Sequence, residues 1–200
     1  MDFFFLILGY IELNIEINYI NTLIIFSFYL LLHNSLSLPG SIIAFAASGY
    51  FFGLYIGFFI SIISLVLGSL FFFLFFSIFL KKIFPKIYNN YSKKITNYID
   101  DSSFDYLILL RLIPGPPLML QNLLLSILNI KKTLFCLSTF IGFSPIVFIS
   151  VFLGYKLSNF NSLKSVVFSD IFSLEFIIFT FFILVLIFLR IFYQKKKGNF

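Results

Sequence analysis

The chain has 200 residues, 60% of them hydrophobic and 11% charged, with a net charge of +6 and a mean hydropathy of +1.07. A soluble domain needs roughly a quarter of its residues charged to keep its surface wet, so this composition excludes a water-soluble globule and describes a surface that faces lipid. At ~20 residues per span, the length holds about four to six membrane-embedded segments in one domain.

Residues 1–18 carry a short apolar stretch followed by Glu12 and Glu16, without the basic start and small-residue cleavage site of a secretory signal. They read as an N-terminal interfacial segment. Tyr19 to Leu38 is the first full-length apolar run, ending at Leu38-Pro39-Gly40. His33, beside Asn34 near its end, reads as an interfacial polar cap. Ser41 to Phe52 is apolar but short, and Gly53 and Gly57 follow it. Phe58 to Leu80 is long enough to cross and stops at Lys81-Lys82. Ile83 to Asp105 is the extended polar region, where Tyr88, Tyr91, Ile95, Tyr98 and Ile99 recur at helical spacing between charges, as in an amphipathic helix in the headgroup layer. Tyr106 to Ile113 is too short to cross, and Pro114-Gly115-Pro116-Pro117 breaks it. Leu118 to Ile130 returns to Lys131-Lys132; Thr133 to Tyr155 is a full span carrying Gly142 and Pro145. Ile171 to Leu189 is the last span, closed by Arg190 and Lys195 to Lys197.

Basic residues mark the cytoplasmic ends of spans. The lysines at 81, 82, 86, 93, 94, 131 and 132 and those of the C-terminal tail share one side only if residues 106–130 enter and leave on that side. The segment is therefore expected to be a re-entrant hairpin turning at Pro114, Gly115 and Pro117, and residues 39–53, with Pro39, Gly40, Gly49 and Gly53, one from the opposite face. Pro39 to Lys81 and Pro114 to Lys156 are equally spaced, which suggests two copies in opposite orientation. Non-helical backbone cannot face hydrocarbon, so two broken hairpins must line a polar cavity or be buried in protein. The expected fold is an all-α polytopic membrane protein: an inverted repeat with two re-entrant helical hairpins and about four full transmembrane helices. Its membrane domain would cover 19–189, with a basic cytoplasmic tail at 190–200.

Arg111, set between Leu107 to Leu110 and Leu112-Ile113, is the leading candidate. An embedded ionisable residue is costly and marks function, and the guanidinium grips phosphate or carboxylate with a planar fork. The bland alternative is snorkelling to the cytoplasmic headgroups. Gln121 and Asn122 bring amide groups into an apolar setting just after the proline turn, for lining a cavity or satisfying carbonyls that the prolines free. Ser48, Ser61, Ser64 and Ser69 read as bonding back to their own helix or a neighbour. The lone Cys136 rules out an intrachain disulfide or cysteine-cluster metal site and reads as a small packing residue. Paired acid–base carboxylates, a Ser/His/Asp set, metal-ligand clusters and a phosphate-binding glycine loop are all missing, so no enzyme, metal or cofactor is expected. The positive charge fits topology and anionic lipid, not nucleic acid. The 33 Phe residues, Phe71 to Phe73 among them, read as AT-biased codon usage at lipid-facing positions.

Arg111, Pro114, Pro117 and Asn122 spell R-x-x-P-x-x-P-x-x-x-x-N; Thr139, Gly142 and Pro145 spell T-x-x-G-x-x-P, with Gly154 beyond; and Pro39 precedes Gly49, Gly53 and Gly57, with Gly68 further on. Over residues 38–155 the chain so resembles the DedA superfamily, also called the VTT or SNARE-associated membrane domain. The resemblance implies two facing re-entrant hairpins and movement of phospholipids or polyprenyl phosphates between leaflets. Ser41 stands where many members carry an acid after the first Pro-Gly, which resembles the branch without that carboxylate and speaks against proton coupling. Ser77 stands in place of a common basic residue, and Ser126 in place of a glycine.

The expected function is a lipid translocase or scramblase, with Arg111 on the phosphate and Asn122 and Gln121 lining the path. A carrier for a small anionic solute and a membrane assembly factor are the alternatives. The expected partners are membrane lipids with anionic headgroups, and association into homo-oligomers is left open. The expected location is a bacterial plasma membrane with the C-terminus cytoplasmic.

Overall fold

The computed structural model describes residues 2–83, 103–112, 117–127 and 130–158. The chain divides into two compact units, residues 1–155 and 156–200; of the second, the described residues 156–158 complete a helix begun in the first. All regular structure among the described residues is helical: α1 (Asp2–Ser35), α2 (Ser41–Phe52), α3 (Leu54–Ile83), α4 (Ser103–Leu112), α5 (Leu118–Ile127) and α6 (Lys132–Ser158). Most of the amphipathic stretch expected over 83–105 lies outside the described residues. So do Pro114, Gly115 and Pro116, the span expected over 171–189, and the basic tail.

α1 is broken at Asn18, whose backbone is non-helical (φ −141°, ψ 63°). The Thr22 hydroxyl reaches across the break to the carbonyls of Asn14 (3.2 Å) and Asn18 (3.0 Å), satisfying groups that the kink takes out of the helical ladder. The helix stops at Ser35 because Pro39 cannot continue it and Gly40 adopts φ +93°. Ser37, in the same turn, is the one non-glycine residue with positive φ (+48°) among the described residues.

α2 then runs back along α1. Phe52 packs on the rings of Tyr19 and Phe26 (centroids 6.0 and 5.3 Å), and Leu30 shares a buried cluster with Ala44 and Phe45. Gly53 reverses the chain a second time with φ +78° and ψ 177°, a conformation that only glycine adopts without strain. α2 thereby folds onto α3. The Ser48 hydroxyl meets the Gly57 carbonyl at 3.1 Å and the Ser61 hydroxyl at 2.7 Å, and a Cβ on Gly57 would stand 2.8 Å from the Ser48 carbonyl oxygen. The serines at 48, 61 and 64 therefore bond between helices; Ser64 donates to the Ser27 carbonyl of α1 at 3.4 Å.

The second half has two short helices, α4 and α5, and a long one, α6. The short helices lean on the opposite half. Gly49 of α2 lies so close to the Val151 carbonyl of α6 that a Cβ there would overlap it, and Gly154 of α6 is pressed in the same way onto the Ala46 carbonyl of α2. α5 packs on α3.

Among the described residues, two helices are long and apolar enough to cross a membrane, α3 and α6. α2, with 12 residues, and α5, with 10, reach about 18 and 15 Å at 1.5 Å per residue, short of a hydrocarbon core of about 30 Å. Burial is inverted relative to a soluble protein. Ser48, Ser61, Ser69, Asn122, Ser138 and Thr139 are inside, while Ile20, Phe28, Phe59, Phe75 and Ile78 are exposed. The phenylalanine run departs from the expectation of uniform lipid exposure. Phe71 is exposed, but Phe72 and Phe73 are buried, and Phe73 stacks on Phe135 (centroids 4.5 Å) because successive helical positions point 100° apart.

Candidate functional site

The interior polar groups gather where the short helices meet the long ones. Asn122 forms the joint. It sits near the start of α5, and its Nδ2 donates to the Ser37 hydroxyl at 3.0 Å and the Ser69 hydroxyl at 3.3 Å. Ser37 belongs to the turn after α1, and Ser69 stands midway along α3. One side chain thus ties a turn of the first half, a helix of the first half and a helix of the second.

Asn34 stands beside this joint. Gly68, next to Ser69, is pressed against the Asn34 backbone and Cβ: a Cβ built on the glycine would lie 2.7 Å from the Asn34 Cβ. The Asn34 Nδ2 donates to the Leu30 carbonyl at 2.8 Å, which fixes its amide orientation. The Oδ1 atoms of Asn34 and Asn122 are buried and accept no hydrogen bond among the described residues. His33, expected as an interfacial cap, is instead buried beside Tyr29 (ring centroids 5.8 Å), because the chain doubles back at the turn and covers it.

Arg111 lies in the second half of the chain. It is 2% exposed, near the end of α4. Gly142 of α6 provides the room, since a Cβ there would overlap the Arg111 Cβ and stand 3.2 Å from its Cγ. Its Cζ lies 5.0 Å from the centre of the Phe135 ring and 5.1 Å from that of Phe143, both on α6. Two ring faces therefore stabilise the cation, each contributing about 0.5–2 kcal/mol. Nε, Nη1 and Nη2 are all buried with no hydrogen-bond partner among the described residues. Snorkelling to a headgroup is not what the structure describes, for the guanidinium ends among aromatic rings.

The remaining expected residues fall around these two points. Gln121 is buried on α5 next to Asn122, its backbone N–H bonded to the Pro117 carbonyl at 3.1 Å. Pro117 itself is exposed and precedes α5. Pro39 and Gly40 form the first turn, and Gly40 caps α2. Pro145 lies inside α6, where its ring removes the donor that the Ile141 carbonyl would otherwise take. Ser126 is buried and bonds back to the Leu123 carbonyl at 2.6 Å. Arg111 and Asn122 are not joined by a hydrogen bond. They flank one apolar cluster, in which Leu107 of α4, Leu125 of α5, Phe73 of α3 and Phe135 of α6 meet. Cys136 packs on the edge of that cluster.

Sequence reasoning passed over Ser37, Phe135 and Phe143. Ser37 offers only a weak signal, a polar residue two positions before Pro39. The two aromatic residues offer none, since nothing separates them from the other Phe residues of the chain.

No curated protein and no solved structure matches the chain. The family model of the VTT domain matches residues 38–156, from the turn before α2 into the last turn of α6. That is more than half of the chain and takes in Arg111 and Asn122; the protein belongs to the VTT domain family, the membrane-protein family of DedA and the SNARE-associated proteins.

Proposed function

We propose that this protein moves anionic lipid between the leaflets of a bacterial plasma membrane, as a translocase or scramblase and not an enzyme. The observation that carries the reading is Arg111: a guanidinium inside the helical packing, with ring faces at about 5 Å and all three nitrogens without hydrogen-bond partners. Five N–H donors held in a low-dielectric interior without partners cost free energy in the empty protein. A phosphate that accepts them bidentately recovers it.

The backbone geometry supports a path at mid-depth. With α3 as a crossing helix, the turn carrying Ser37 lies beside its midpoint, so the second part of α1 and α2 form a re-entrant pair. This refines the expected hairpin of residues 39–53, which becomes one arm of that pair. Two features support the inverted repeat. Each long helix carries a glycine pressed on a buried polar side chain, Gly68 on Asn34 and Gly142 on Arg111, and each short helix α2 and α5 packs on the other half's long helix. Gln121 and Asn122 line the path, and the lysines at 81, 82, 131 and 132 face the cytoplasm with the C-terminal tail.

Reconstitution in liposomes with fluorescent phospholipid or polyprenyl phosphate tests the reading. Outer-leaflet quenching should reveal movement well above protein-free liposomes, and Arg111→Gln should abolish it. Rates equal to those of empty liposomes for every anionic lipid would sink the proposal.

A further inference from the structure

The joint that Asn122 makes holds more lone pairs than protons. Asn34 and Asn122 are both 0% exposed, and the Oδ1 of each is buried with no hydrogen-bond partner among the described residues. The two side chains come from α1 and α5 to one place. Ser37 Oγ accepts from the Asn122 Nδ2 at 3.0 Å and donates to the Asn34 carbonyl at 3.4 Å. Ser69 takes the second Asn122 bond, and its neighbour Gly68 is pressed on the Asn34 Cβ. Both Nδ2 groups are thus spent, that of Asn34 on the Leu30 carbonyl, and so is the Ser37 proton. What remains is two amide oxygens and a spare lone pair on each hydroxyl.

We infer that this joint binds a monovalent alkali cation, Na+ or K+, through Asn34, Ser37, Ser69 and Asn122. An anion is repelled by such oxygens. A lipid ammonium brings its chain with it, and the four residues are at most 3% exposed, which admits only a compact ligand. A buried water makes about three hydrogen bonds, some donated and some accepted, whereas a metal ion asks only for lone pairs. Calcium and magnesium draw on carboxylates, and all four ligands here are neutral. Helix poles of both signs meet at the turn, the carboxyl end of α1 and the amino end of α2, so the side-chain oxygens decide which charge is taken. The Arg111 guanidinium turns to the Phe135 and Phe143 rings of α6 and makes no bond to this joint. Broken helices at membrane depth supply cation sites of this kind, from uncharged oxygens on separate segments. Such an ion has no signature of His, Cys or carboxylate, and no cluster of three of these exists among the described residues. Once bound, it holds α1, α3 and α5 together around the first turn.

Binding tests this without reference to lipid movement. Detergent-solubilised protein in N-methylglucamine chloride is titrated with NaCl or KCl at constant ionic strength, which keeps screening fixed. At saturation one of the two ions should raise the melting temperature by about 2 °C or more. Asn122→Asp keeps the oxygen and adds a charge, and the Ser37 and Ser69 hydroxyls can turn their protons towards it. The ion should then act at about tenfold lower concentration. Ser69→Ala removes one ligand while Ser37 still holds Asn122, and should raise that concentration about tenfold. The unsubstituted protein decides the matter alone should either variant fail to fold. A melting temperature no higher in Na+ or K+ than in N-methylglucamine overturns the site. So does a Ca2+ response at lower concentration than either ion, or a midpoint that neither substitution moves.

Discussion

Replacing Gly154 with alanine sets one methyl group against a backbone that has nowhere to go. The new Cβ would stand 2.6 Å from the Ala46 carbonyl carbon and 2.9 Å from its Cα, and closer still to its oxygen. Ordinary contact begins at 3.4 Å, so clearing the carbonyl carbon alone parts α2 and α6 by about 0.8 Å, and the carbonyl oxygen demands more. The obstacle is helix backbone, so no side-chain rotation relieves it. The separation is felt where Ala44 and Phe45 of α2 pack with Val147 and Val151 of α6. A gap of 0.5–1 Å forfeits about a quarter to a half of each dispersion well. With overpacking of a fitted core costing about 1–3 kcal/mol, Gly154→Ala should lie near the upper end. Gly49→Ala should cost a similar amount, because its Cβ meets the Val151 carbonyl across the same seam. The pair should be less than additive, since helices already parted by one methyl have room for the second. Gly40 is the control. Nothing lies within 4 Å of a Cβ there, so Gly40→Ala should cost only the left-handed backbone penalty of about 1–2 kcal/mol and add independently to Gly49→Ala. A denaturing-detergent titration reads all of these, with a thiol-reactive dye reporting exposure of Cys136, the only cysteine. If Gly154→Ala stays within about 0.5 kcal/mol of the unsubstituted protein, the close approach of α2 to α6 is wrong.

Gly142→Ala drives its methyl against the Arg111 Cβ, which the α4 backbone holds in place, so it should cost about 1–3 kcal/mol of stability and lower lipid movement about ten- to a hundredfold; undiminished liposome rates would detach Arg111's placement from function. Asn122→Leu strips both Ser37 and Ser69 of a donor and should cost about 1–3 kcal/mol in the same titration, a loss that an unaltered curve would refute. Topology is tested by membrane-impermeant thiol labelling in a Cys136→Ala background. Lys93→Cys and Lys131→Cys should react from the same face, and labelling from opposite faces would turn residues 106–130 into a crossing helix.

What could be read from the sequence follows the physics of single residues. Pro39-Gly40 and Gly53 mark chain reversals because proline lacks an N–H and glycine tolerates positive φ, and both reversals are present. Arg111 stood out because a charge in an apolar run is rare, and it is buried. Asn122 was legible as a polar residue in an apolar setting, but its bonds to Ser37 and Ser69 were not, because the partners lie 85 and 53 positions away. The same limit hid the pairing of Gly49 with Val151 and Gly154 with Ala46. A glycine announces that something approaches closely but never what. The burial of His33 was hidden for a related reason: hydropathy along a helix does not say whether the next turn folds back to cover its end. The phenylalanines were treated as one population, although helical phase alone puts Phe71 outside and Phe73 inside.

The crossed packing of the halves also bears on how the protein is made. Gly49 leaves the ribosome about a hundred residues before Val151, its seat on α6, and Ser69 waits some fifty for Asn122. At about 5–20 residues per second, α2 spends roughly 5–20 s in the membrane before the helix that covers its glycine face exists. During that interval the first half holds a half-length helix and the buried serines of α3 without their final neighbours. The clasp closes late, and it closes both halves at once. Deleting α6 should therefore leave a first half that is inserted but exposed to membrane quality control, a fate set by chain order and not by any weakness in α2 itself.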